Sequence, residues 1–282
     1  MRVRACAKLN LSLRVLGTRG DGFHELRTIF QSIALHDTLT IRPARGPFRL
    51  TCDDPDCPAD YTNLIWRAAE RMWQAARRRG VPRDVAIDLR KRIPMNAGLG
   101  GGSSDAAAAI RAFARLWRVD ERRARAIGRE LGADVPYFFE GGTVLGLERG
   151  DLLFPLIDRP RAWVVLVLPA FGVSTKQAFE WWDRDPRRAG SPERRALGDE
   201  EPVNDLQRVV VARHPGVARL VTRLRNAGAT HAAMTGSGST VFGLFATEAA
   251  AARAARALTS RAHGVRITTT VNRAQYQRLA AI

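Results

Sequence analysis

The chain has 282 residues, 45% of them hydrophobic, enough to bury one large core or two modest ones, which excludes disorder as its main state. Its 45 basic against 28 acidic residues give a net charge of +17, raising nucleic acid, an anionic membrane or phosphate-bearing molecules as partners. Cys6, Cys52 and Cys57 are an odd set that cannot close a disulfide framework, and no histidines stand at zinc-ligand spacing around the 52/57 pair, so a reducing cytoplasm is expected. The first 13 residues lack an apolar leader core, and no stretch approaches the roughly 18 apolar residues of a membrane span. Of the basic residues only Lys8, Lys91 and Lys176 are lysines, the rest arginines, which reads as a compositional habit and singles out those three.

In chain order, residues 3 to 16 alternate like a strand, and 29 to 41 hold a second and third alternating run around a turn at His36-Asp37. Asn63 caps a helix with apolar residues every three to four positions, ending near Gly80. Val85 to Leu89 is a strand that runs through Lys91 and Pro94 into a glycine-rich loop opening a helix at about 103 to 116. A helix at 120 to 131 and an extended segment at 142 to 148 follow. Asp158-Arg159-Pro160 breaks the pattern before the apolar run 162 to 168, which divides the chain into domains 1–157 and 158–282. The second part reads as a helix after Ser174, a polar loop at 183 to 202 and helices at 204 to 212 and 215 to 227. Strands at 230 to 234 and 240 to 245, a helix at 247 to 261 and a strand at 265 to 271 complete it. Helices and strands mix in both parts, an α+β organisation.

The strongest chemical signal is Pro94-Met95-Asn96-Ala97-Gly98-Leu99-Gly100-Gly101-Gly102-Ser103-Ser104-Asp105, running into an alanine helix. Four glycines in five positions let a phosphate reach backbone N–H groups, and the helix N-terminus adds its positive end. The pattern is neither a P-loop nor a dinucleotide fingerprint. Lys8 and Asn10, two apart, share one face of an early strand whose other face is Leu9 and Leu11; by themselves they could equally face solvent. Gly132-Ala133-Asp134-Val135-Pro136 alone reads as a turn. Met234-Thr235-Gly236-Ser237-Gly238-Ser239-Thr240 is either a tight hairpin or a second backbone surface approaching a ligand.

Together with R-G-D-G-F-H-E-L, G-V-S-T-K and N-D-L, these segments resemble the GHMP small-molecule kinases, and more narrowly their 4-diphosphocytidyl-2-C-methylerythritol kinase family, from Ala7 to about Phe245. The resemblance implies a two-domain fold, with a ribosomal-protein-S5-domain-2-like N-terminal part and a ferredoxin-like C-terminal part. It implies ATP phosphates on Gly98–Ser104, Mg²⁺ near Ser103 and Ser104, and adenosine near Asn63 and Lys91. Asp134 matches the family's catalytic base, with Lys8 beside it balancing charge. Asn10 would orient the substrate, Phe23 and Phe179 clamp a cytosine, His24 read its edge, and Thr175 contact the same ligand. Phe23 stands where the family often has Tyr; stacking needs only the ring face, which Phe keeps. Without the resemblance, Phe23 and Phe179 would read as core residues. The expected partners are ATP and the cytidyl-diphospho-methylerythritol substrate, for a monomer or homodimer without membrane or specific nucleic-acid binding. A homoserine- or mevalonate-type kinase would share the glycine loop but would have no use for an aromatic-plus-His base site. The Arg clusters at 77–79, 122–125 and 187–195 lack the interleaved aromatics of a nucleic-acid surface.

Overall fold

The early alternation forms one long strand, β1 (Arg2–Thr18), paired antiparallel with β2 (His24–Pro47) in a computed structural model that describes residues 1–186 and 204–282. β2 runs unbroken through His36-Asp37, where the sequence predicted a turn. Asp37 is fully buried, and its carboxylate accepts from the backbone N–H groups of Arg92 and Ile93 and from the Lys91 ammonium. A residue type common in turns is thus held inside a strand by partners far along the chain. The irregularity lies just upstream: pairing jumps from Lys8–Ser32 to Cys6–His36, and within this bulge Ile33 bridges Thr270.

β2 also pairs with β4 (Arg83–Arg90) and β5 (Thr143–Glu148), and the short strands β3 (Arg49–Cys52) and β6 (Leu152–Pro155) close the edges of a six-stranded sheet. Its core is completed by α1 (Leu64–Ala75), α2 (Gly101–Trp117), α3 (Glu121–Leu131) and the single turn α4 (Tyr137–Glu140). Asn63 caps α1 as expected, accepting from the Ile65 N–H, and the periodic residues Ile65, Ala68, Ala69, Met72 and Trp73 are its buried face. In α2 the run Ala106–Ala109 is wholly buried. Alanine keeps high helix propensity at minimal girth, so this helix can lie against β1, α1 and α3 at once.

The second sheet has the order β10-β7-β9-β8, all antiparallel, from β7 (Trp163–Pro169), β8 (His231–Met234), β9 (Val241–Phe245) and β10 (His263–Thr269). With α5 (Thr175–Asp183), α6 (Asp205–Val211), α7 (Gly216–Asn226) and α8 (Glu248–Leu258) it has the ferredoxin-like β-α-β-β-α-β succession. Val164–Val167 is completely buried, as its uninterrupted apolar character requires. Of the polar segment expected at 183–202, residues 187–202 lie outside the described residues.

A third cluster joins the two units: Ala7, Leu9 and Leu11 of β1 pack with Ile93 and Leu99 against Val164, Leu166, Phe242 and Leu244 of the second sheet. The chain also crosses back at its end. Sequence periodicity did not reveal α9 (Arg273–Leu279), whose Tyr276 is buried in the first core and donates from its hydroxyl to the Phe138 carbonyl at 2.6 Å. The segment assigned by sequence to the second domain therefore supplies Val271, Tyr276 and Ala280 to the first unit's core.

Candidate active site

The polar face of β1 is not solvent-facing. Lys8 and Asn10 are 3% and 2% exposed, because the leucines on the opposite face are taken up by the second sheet while the glycine loop covers this one. The Lys8 ammonium lies 2.5 Å from Asn10 Oδ1 and 3.4 Å from Asp134 Oδ2. Asn10 Nδ2 donates to Thr28 Oγ1 at 2.7 Å, and Thr28 in turn donates to the Ser12 carbonyl, so the amide is fixed with its oxygen on the lysine. Both ends of the Asn10 side chain are thus engaged within the protein, and its direct target is the ammonium. Asp134, on the α3–α4 connection, remains about one-third exposed toward the cavity.

Two glycine loops meet over this strand. The Lys8 N–H donates to Leu99 O, the Asn10 N–H to Thr235 Oγ1, and Thr235 Oγ1 to Gly98 O. At Gly98, with φ +73°, a Cβ would stand 2.2 Å from the Thr235 carbonyl oxygen; at Gly100, with φ +71°, it would stand 3.1 Å from the Lys8 side chain. These glycines are therefore required twice over, by left-handed backbone and by close approach. The second loop, 235–238, is a backbone surface against the first, not an isolated hairpin, with Gly236 and Ser237 lining the cavity. Asn204, at the cap of α6, holds it by donating to the carbonyls of Met234 and Gly236. The N-terminal turn of α2 opens at the same place, and Gly101, Gly102 and Ser103 line the cavity. Ser104 does not: it is buried and its hydroxyl donates to Cys6 O at 2.7 Å, which leaves Ser103 as the hydroxyl facing a ligand.

The cavity holds about 910 Å³ and runs from the side expected to take a nucleotide, walled by Cys57, Asn63, Lys91 and residues Pro94–Gly102, to the side expected to take the acceptor substrate. On the nucleotide side two expectations change character. The Asn63 amide is occupied in capping α1 and in donating to Pro58 O. Lys91 is 7% exposed, and its ammonium is bound to two buried carboxylates, Asp37 at 2.5 Å and Asp105 at 2.9 Å. It forms part of the wall, with its cation engaged by protein carboxylates. Burial pushes the Asp105 carboxyl up to about 7, against the opposing pull of Lys91. The side chain of the third lysine, Lys176, is 87% exposed, one turn from Glu180 on α5.

On the substrate side the structure brings Phe23, His24, Phe179 and Thr175 to one wall. His24 stacks on Phe179 (centroids 4.4 Å apart, planes 17° apart), meets Trp182 edge-on, and donates from Nε2 to Asp183 at 2.9 Å. Phe23 is 52% exposed, with the Arg149 guanidinium over its ring at 5.1 Å. The Thr175 hydroxyl lies 3.3 Å from Ser237 Oγ and links α5 to the second glycine loop. Sequence reasoning missed Thr28, Asp37, Asp105, Asp183 and Arg149, all of which act by holding another site residue or bordering it.

Of the Arg clusters, 122–125 lies on α3 with Arg125 paired to Glu121 and Glu140, and 187–195 lies outside the described residues. Among the described residues no helix is long and apolar enough to cross a membrane, and no group of three or more His, Cys, Asp or Glu is placed to hold a metal ion.

The family models for the GHMP kinases N-terminal domain and the GHMP kinases C-terminal match residues 63–142 and 187–264. A 4-diphosphocytidyl-2-C-methyl-D-erythritol kinase from Heliobacterium modesticaldum is 37% identical over 287 residues, covering 92% of this chain and 90% of the relative. A crystal structure of 4-(cytidine 5'-diphospho)-2C-methyl-D-erythritol kinase superposes with a TM-score of 0.79 at 35% identity, covering 96% of this chain and 99% of its own. The homoserine kinase of Cytophaga hutchinsonii shares the fold with a TM-score of 0.71, but at 19% identity. Identity at this level along nearly the whole length of both chains, on a fold whose β1 lysine and glycine loops converge on one cavity, shows that the chain belongs to the 4-diphosphocytidyl-2-C-methyl-D-erythritol kinase family of the GHMP kinases.

Proposed function

We propose that the cavity binds ATP on its glycine loop and the cytidyl-diphospho-methylerythritol substrate on its aromatic side, and that it transfers the γ-phosphoryl group to the C2 hydroxyl. The observation that carries this reading is Lys8: a buried ammonium held between the Asn10 oxygen and the Asp134 carboxylate, directly against Gly100 of the loop. Phosphoryl transfer needs little from a protein beyond positioning and charge stabilisation. The N-terminal turn of α2 supplies backbone N–H groups to the phosphates. Asp134 accepts the hydroxyl proton as its oxygen attacks, and Lys8 stabilises the charge on the attacking oxygen and the migrating phosphoryl group. Lys8 is fixed by Asn10 and Thr28 before substrate arrives, so little reorganisation is required at the moment of transfer.

Mg²⁺ is consistent with these residues as a companion of the nucleotide. It takes most of its ligands from phosphate and water, so the absence of a three-ligand cluster among the described residues is no obstacle, and Ser103 is the hydroxyl that would hold it. When bound it spreads phosphate charge. At the other end, a neutral His24 that donates from Nε2 to Asp183 presents Nδ1 as an acceptor, the complement of an exocyclic amine such as cytosine carries. Phe179, stacked by one face on His24, and Phe23, with Arg149 over its ring, both line the cavity beside that residue and are the aromatic rings for a base.

The deciding experiment is an ADP-release assay with the cytidyl substrate, with and without Mg²⁺, alongside homoserine and mevalonate. Turnover confined to the cytidyl substrate and dependent on Mg²⁺ is expected; turnover of homoserine or mevalonate at comparable kcat/KM would refute the reading.

A further inference from the structure

Phe23 is the least supported ring of the substrate side. Phe179 packs against the second unit's core and stacks on His24, whereas Phe23 belongs to no core of the described residues and is 52% exposed on the turn between β1 and β2. The backbone of that turn is fixed locally: the Arg19 N–H donates to Phe23 O at 2.7 Å, and the Phe23 N–H to Asp21 Oδ1 at 3.1 Å. The ring has no polar tip to tether, so its torsions would have to be frozen each time a base stacked on it.

Support reaches the ring from the neighbouring turn, between β5 and β6. Arg149 lays its guanidinium over Phe23 at 5.1 Å from the ring centre. The same guanidinium donates to Asp151 Oδ2 at 2.6 Å, and that carboxylate is buried, its side chain 6% exposed. A second link joins the two turns, Arg19 to Glu148 at 3.7 Å. Both its side chains are substantially exposed, which makes it worth little by itself, and the anchor is the charge-assisted bond to buried Asp151. Backbone strain is spent on this reach. Glu148 has φ +59°, the left-handed region that a side chain enters at a cost, Gly150 follows at φ +91°, and the Gly150 N–H closes the turn on Leu147 O at 2.9 Å.

Arg149 also stands at a boundary. It lines the substrate cavity, where Asp151 does not; Asp151 lines a separate hollow bordered by α3 and β6, and Arg149 is the residue common to both. Its charged head is therefore drawn away from the substrate while it still covers Phe23.

We propose that Arg149, anchored by Asp151, backs the Phe23 ring and holds its other face ready for the base of the acceptor substrate. Both are positioning residues, acting through Phe23 on the acceptor and not on ATP. The inference rests on the reading of the aromatic wall as the base site. A guanidinium is planar and permanently charged, so it can bond a carboxylate at its edge and cover a ring with its face, and a cation on one side of a ring leaves the other side free. A ring held in advance spares the substrate the cost of ordering it, and the effect falls on binding of the acceptor, not on transfer.

The test measures KM for the cytidyl substrate, KM for ATP and kcat in Arg149→Ala, Arg149→Lys and Asp151→Asn, and repeats Arg149→Ala in a Phe23→Ala protein. Arg149→Ala is expected to raise KM for the cytidyl substrate about three- to tenfold, the worth of one partly shielded cation on a ring, with the other two constants within about twofold of wild type. Asp151→Asn raises it in the same direction, and Arg149→Lys falls between Arg149→Ala and wild type. In the Phe23→Ala protein the loss of Arg149 adds nothing further. A full additional rise there would mean that Arg149 touches the substrate itself, a fall in KM that it covers the face the base needs, and a matching rise in KM for ATP that the variants are merely deformed; each overturns the proposal. The second readout is fluorine NMR of fluorophenylalanine-labelled protein, with the Phe23 signal identified by its loss in Phe23→Leu. That signal shifts in both Arg149→Ala and Asp151→Asn, and an unmoved signal refutes the brace whatever the enzyme phosphorylates. A signal that shifts in a protein that never turns over the cytidyl substrate sustains the brace and counts against the kinase reading alone.

Discussion

Gly98→Ala tests the idea that the two glycine loops are one structural unit. The new methyl would be placed on backbone at φ +73°, which costs an L-residue about 1–2 kcal/mol. It would also stand 2.2 Å from the Thr235 carbonyl oxygen, 3.1 Å from its carbon and 3.2 Å from the Gly238 nitrogen. All three are backbone atoms, and that oxygen already accepts from the Gly238 N–H, so no side chain can swing aside to relieve the overlap. Overpacking of this kind adds about 1–3 kcal/mol, for a total of about 2–5 kcal/mol. If the loops stay together the cost appears as a melting temperature lower by roughly 3–8 °C. If they part, the cradle is deformed, and about 3 kcal/mol corresponds to a loss on the order of a hundredfold in kcat/KM for ATP. Thermal melts and steady-state kinetics read both routes. Gly17→Ala, on β1 with ordinary φ and nothing within 4 Å of the added carbon, is the control and should change neither. A Gly98→Ala protein with wild-type melting temperature and wild-type kcat/KM would refute the interlock.

Three further outcomes follow from the site. Asp134→Asn should lower kcat by about 10²- to 10⁴-fold with little change in either KM, and undiminished turnover at saturating substrate would remove Asp134 as the base. Lys8→Arg should also lose kcat, because a planar guanidinium cannot keep both the 2.5 Å contact to Asn10 and the approach of Gly100; near-normal activity would show that the compact ammonium is not needed. Phe179→Ala should raise KM for the cytidyl substrate by about 10- to 100-fold, the worth of one stacked base, and leave KM for ATP near wild type; equal effects on both would exclude a base platform.

The features legible in sequence are those whose residue type is dictated locally. The Gly98–Gly102 run, the Asn63 cap and the alternation of Lys8, Leu9, Asn10 and Leu11 announce themselves because backbone conformation, helix entry and strand pleat each select residues at fixed short spacing. Features resting on distant partners did not. His36-Asp37 resembles a turn until Lys91, Arg92 and Ile93 are seen around the Asp37 carboxylate. Lys91 stood out by its rarity, yet rarity could not tell a ligand cation from one enclosed by two aspartates. Ser103 and Ser104 are neighbours of identical type, and only the helix rotation separates the cavity-facing hydroxyl from the one bonded to Cys6. The helix at Arg273–Leu279 did carry a signal in its Asn272/Gln275 capping box, but it is too short for its periodicity to show.

The return of that helix bears on how the protein is made. The Tyr276 ring fills the space over Gly141, where even a Cβ would lie 2.0 Å from it. Until residues 271–282 leave the ribosome, the unit containing both the nucleotide loop and the Lys8 strand has an open core, while the antiparallel second sheet can close once β10 is made. Synthesis from the N-terminus therefore does not deliver a finished catalytic half early; nascent chains halted before Val271 should remain protease-sensitive across residues 1–157 and dependent on chaperones, although they contain every motif of the nucleotide site.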